Sequence, residues 1–136
     1  MRRAAALIAA LCTLPAQAQL FEAHSARPGA KMDISLREVE RRPRSSVLAI
    51  EVRQVGSSVG SSFFIACSLR RLAQARGGFR HIVKAEETPA RGQMLVGFLG
   101  SASDPPGGAD PAFEALGPRA QIVELEQFAP ICDQMK

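Results

Sequence analysis

The chain has 136 residues, with 17 basic and 13 acidic side chains and neither Trp nor Tyr. That length suits one domain with a modest core. Arg41, Arg42 and Arg44 stand beside Glu38 and Glu40, so no long run of one sign exists. Without indole or phenol rings for base stacking, nucleic-acid binding has little support.

Met1-Arg2-Arg3 precedes an apolar run from Ala4 to Leu14, and Ala16-Gln17-Ala18 follows Pro15. A positive start, an apolar stretch of roughly 7–15 residues and a small-x-small exit form the pattern of a secretory signal peptide. Cleavage is expected before Gln19, leading to the periplasm or the medium. The run falls short of the ~20 residues that span a bilayer, so no integral membrane segment is expected after cleavage. Cys12 follows Leu11 where a lipid-attachment site has a small residue, and it reads as part of the leader. Loss of residues 1–18 leaves 118, with 15 basic side chains against 13 acidic once Arg2 and Arg3 are gone. The expected organisation is a signal peptide over 1–18, a partly ordered arm over 19–44 and a single α+β domain over 45–136.

In the arm, Pro28, Gly29 and Pro43 interrupt the chain, and the first ten residues after Ala18 are expected to be loose. Met32, Ile34 and Leu36 alternate as a short strand at the domain edge would. Residues 47–55 show the period-two pattern of a strand with one buried face, with Leu48, Ile50 and Val52 alternating with Ala49, Glu51 and Arg53. Gly56 to Ser62 breaks that strand and supplies hydroxyls for a helix N-cap. The main helix is predicted over 61–76, with Ile65, Ala66, Leu69, Leu72 and Ala73 on one side, closed by Gly77-Gly78.

A second strand is predicted over 79–85 and a third over 93–99. The third is almost wholly apolar, which implies burial on both faces or a central place in the sheet. Residues 101–108 form a loop, Asp110-Pro111 opens a short helix ending at Gly117, and 121–126 is a last strand. The strand–helix–strand unit over 47–85 is long enough for a right-handed parallel crossover, and the next strands can pair as an antiparallel hairpin. The expected fold is α+β, a small mixed sheet of about four strands with one main helix on one face.

Cys67 and Cys132 remain after the leader. An even count in an oxidising compartment suggests one disulfide, closing a loop worth roughly 4 kcal/mol at most by chain entropy. Two separate buried thiols are the alternative. The paired state requires the C-terminal tail to cross the N-terminal half of the helix and cover Phe63 and Phe64. Two cysteines with His24 and His81 lack the close ligand pairing of zinc sites, so neither metal nor cofactor is expected.

The succession of strand (Val47–Arg53), small-residue turn (Gly56–Ser62), helix (Ser61–Arg76), Gly77-Gly78-Phe79 and strand (His81–Ala85) resembles a group of small proteobacterial exported proteins and lipoproteins of unknown function. The resemblance covers about a third of the chain. It implies an envelope protein with an α+β sheet and no particular activity, and this chain differs from the lipoproteins in lacking a lipobox.

Gly56-Ser57-Ser58-Val59-Gly60 matches G-x-S-x-G between a strand and a helix, as a nucleophile elbow does. Ser58 would be the nucleophile and His81, the only downstream histidine, its base. The hydrolase order Ser…Asp…His is not met, because Glu86 and Asp104 both follow His81. The same turn could instead bind a small anion, although N-capping alone explains its composition. It lacks the Lys-Ser/Thr ending of a nucleotide-binding loop. The pattern as a whole points to a non-enzymatic periplasmic or envelope protein that binds another envelope protein or a small ligand, or supports assembly, through a sheet edge or the 101–108 loop. The alternative is a small secreted serine hydrolase.

Overall fold

The computed structural model describes residues 19–134; the expected leader, with Cys12, lies outside the described residues. Six strands form one open sheet: β1 (Glu22–His24), β2 (Asp33–Arg41), β3 (Ser45–Gln54), β4 (His81–Glu86), β5 (Gln93–Leu99) and β6 (Gln121–Glu124). Their order is β1-β2-β3-β5-β4-β6, and every neighbouring pair is antiparallel. Two helices accompany it, α1 (Ser58–Ala75) and the single turn α2 (Ala129–Cys132).

The α+β class stands, but two features of the expected sheet change. The strand count is six because the arm supplies β1 and β2. Leu36 sits opposite Ile50 and Glu38 opposite Leu48, so β2 and β3 form one long hairpin. Ile34 and Leu36 are buried in it, which is the alternation the sequence displayed. Secondly, β3 and β4 run in the same direction without touching. β5 lies between them, antiparallel to both, so the sheet is antiparallel and not mixed. The physical reason lies in β5 itself: Met94 to Leu99 are all buried, and only an interior strand covered on both faces can achieve that.

α1 starts at Ser58, three residues earlier than the periodicity indicates. The Ser57 hydroxyl accepts the Gly60 N–H at 3.0 Å and serves as its N-cap. At the other end Gly77 and Gly78 take φ of 136° and 84°, and the Gly78 N–H donates to the Ala73 carbonyl. Leu69, Leu72 and Ala73 join Ile34, Leu36, Leu48, Ile82, Val96 and Phe98 in one buried cluster. Full burial of one such Leu is worth about 1.5–3 kcal/mol.

The opposite face holds a second cluster of Val47, Val83, Ala85, Leu95 and Leu99, covered by Ala109 and Phe113. The cover is a run of 3-10 turns in place of the short helix expected after Asp110. Gly97 lies directly under this layer. A Cβ there would stand 2.8 Å from Ala109 Cβ and Phe113 Cε2 and 2.9 Å from Val83 Cγ1.

A disulfide joins Cys67 to Cys132, with Cα atoms 5.4 Å apart, and holds the tail across α1. Arg70 reinforces it through ion pairs with Glu126 at 3.3 Å and Asp133 at 3.6 Å. No helix among the described residues is long and apolar enough to cross a membrane.

Candidate functional site

The residues singled out for chemistry do not converge. Ser58 is the first residue of α1, while His81 opens β4 just beyond the helix's other end. Eighteen residues of helix place roughly 27 Å between those ends, so no base reaches Ser58 from His81. His81 is half-buried, in register with Leu99 and Glu124. The 101–108 loop is stitched down: Asp104 accepts the Gly100 N–H at 2.8 Å and the Ser101 hydroxyl at 3.0 Å. Those bonds, the Ser101 hydroxyl first, hold the Asp104 carboxyl below its ordinary pKa. No group of three or more His, Cys, Asp or Glu among the described residues is placed to hold a metal ion.

What the fold does assemble beside Gly56 and Ser57 is a cleft of about 620 Å³. One wall is the connection between β1 and β2, carrying Arg27, Ala30, Lys31 and Met32. Another is the start of α1 with Gly60 and Phe64, then Arg71 two turns on. Gln134 of the disulfide-held tail closes the rim. His24 and Ser25 also line it, and among the described residues no acidic side chain does. Among the described residues Arg27, Lys31 and Arg71 take part in no ion pair. Arg71 lies over the Phe21 ring, 5.6 Å from its centre, which orients the guanidinium without neutralising it. Three uncompensated cations around one concavity raise the local concentration of anions.

Gly56 shapes this site. It takes φ of 72°, and a Cβ on it would meet Met32 Cβ at 3.1 Å, so the strand-to-helix turn lies directly against the β1–β2 connection. Sequence reasoning singled out the turn but not the cleft. Arg27 and Lys31 are far from Arg71 in the chain, and it is the fold that brings the β1–β2 connection alongside α1.

A second polar cluster escaped sequence reading altogether, and it is closed. Glu38 is fully buried on β2 and accepts from the Phe21 N–H at 3.0 Å, from Arg41 at 2.6 and 3.1 Å, and from the Ser46 hydroxyl. Burial pushes its carboxyl pKa up, but the Arg41, Ser46 and Phe21 bonds outweigh that and hold it below the ordinary value. Arg76, one residue past α1, reaches Glu38 at 3.6 Å, donates to the carbonyls of Ser45, Arg42 and Pro43, and lies over the Phe98 ring. On the opposite face Asp110 accepts from Ser45 and Arg42, each at 2.8 Å. Adjacent residues Ser45 and Ser46 thus tie the β2–β3 turn to both covering layers. Every buried side-chain nitrogen and oxygen among the described residues has a partner, so this cluster presents nothing to a ligand.

Comparison with protein-family models, with curated proteins and with solved structures returns no match. The site is therefore read from its own geometry.

Proposed function

We propose that the protein is an exported, non-enzymatic binding module of the bacterial envelope, and that the cleft between the β1–β2 connection and α1 is where it takes an anionic ligand. One observation carries the ligand reading: among the described residues Arg27, Lys31 and Arg71, none in an ion pair, line a single concavity that no carboxylate side chain lines. Export is supported by the leader pattern of residues 1–18 and by a disulfide that would be reduced in a cytosol. A cleft of this volume falls in the range of small-molecule sites, roughly 300–1,000 Å³.

The test is a titration of the oxidised protein with inorganic phosphate at low ionic strength, followed residue by residue in amide NMR spectra. Saturable shifts confined to Arg27, Lys31, Gly56, Ser57 and Arg71 are expected. Shifts of equal size around Arg37 and Arg91, which lie outside the cleft, would show diffuse attraction and refute the assignment.

A further inference from the structure

Resting on that reading, we infer that the ligand is an amphipathic organic anion, its charged end held by Arg27, Lys31 and Arg71 and its apolar part lying on Met32 and Phe64. The cleft is not uniformly polar. Phe64 and Met32 are half-buried: each packs part of its surface against the main core and turns the rest to the same concavity as the cations. Phe64 and Arg71 are seven residues apart on α1, hence on one side of it and roughly 10 Å apart along its axis. A bare inorganic anion cannot touch both. A molecule with an apolar segment of a few carbons attached to a phosphate or carboxylate can.

The occupant's charge follows from complementarity, since among the described residues every ionisable side chain lining the cleft is Arg, Lys or His. Its size follows from the volume of about 620 Å³, far more than a tetrahedral oxyanion fills. The tail contributes to the rim, because Gln134 stands two residues beyond Cys132 and offers amide donors and an acceptor there.

The experiment compares three probes by calorimetry on the purified oxidised protein at low salt: hexyl phosphate, inorganic phosphate and hexanol. Burial of even two methylenes is worth about tenfold in affinity. Hexyl phosphate is expected to bind at least tenfold more tightly than inorganic phosphate, and hexanol not measurably. Arg71→Gln, at an exposed position, is expected to weaken hexyl phosphate at least threefold, and Arg91→Gln, outside the cleft, to leave it unchanged. Equal affinity for the two phosphates would overturn the amphipathic ligand while leaving the anion site standing. Binding of hexanol as tight as that of hexyl phosphate, or no binding of any probe, would overturn both.

Discussion

Replacing Glu38 by Ala tests whether the closed polar cluster holds the layers together. The substitution removes the acceptor of the Phe21 N–H, of two Arg41 donors and of the Ser46 hydroxyl. It also strips the carboxylate from Arg76, whose side chain is only 8% exposed. Taking one partner from a buried ion pair costs about 3–5 kcal/mol, because the remaining charge stays desolvated. A domain has only about 5–15 kcal/mol in total. With a urea slope of about 2 kcal/mol/M, the unfolding midpoint should fall by about 1.5–2.5 M, read by circular dichroism on the oxidised protein. Arg41, a quarter exposed, can turn to water and sets the lower end of that range. Glu38→Gln keeps the shape and one acceptor and should lose about half as much. A midpoint within about 0.3 M of the parent for Glu38→Ala would refute the reasoning.

Acid should act through the same cluster. Glu38 and Asp110 are both held below their ordinary values of 4.5 and 3.8, burial being outweighed by their hydrogen bonds. A lowered folded-state pKa gives stability that is present above the ordinary value and lost as pH falls through the folded one. Urea midpoints should therefore be level from pH 7 to about 5 and drop below about 4.5, less steeply in Glu38→Gln. Gly97→Ala should cost about 1–3 kcal/mol through collision with Ala109, Phe113 and Val83, seen as a lower melting temperature. Ser57→Ala should cost about 1 kcal/mol by loss of the N-cap, whereas Ser58→Ala should change thermal stability by less than about 0.5 kcal/mol. Equal effects of the two would place the cap wrongly.

The strands with a strong period were legible from sequence alone. Residues 93–99 match β5 residue for residue, and the Gly-Gly stop of α1 lies where composition put it. The disulfide also joins the two cysteines that the count left to pair. The antiparallel arrangement was concealed because helical and strand periods describe each element but say nothing of its neighbour. The burial of β5 on both faces was the available clue, since an interior strand has to separate two others. The arm misled through Pro28, Gly29 and Pro43, which mark turns, not disorder: Gly29 takes φ of 80° in the β1–β2 connection and Pro43 occupies the tight β2–β3 turn. The cleft and the Glu38 cluster depend on contacts between residues tens of positions apart, which no local pattern encodes.

The strand order has one more consequence. Among the described residues the first and last strands are the two rims of the sheet, three and four residues long, flanking the nine-residue β2 and the six-residue β4. Short rims offer little template for another molecule's backbone. Shortening the chain past Ser25 would strip one rim and bare the nine-residue β2, turning a capped sheet into one ready to zip onto its own copies.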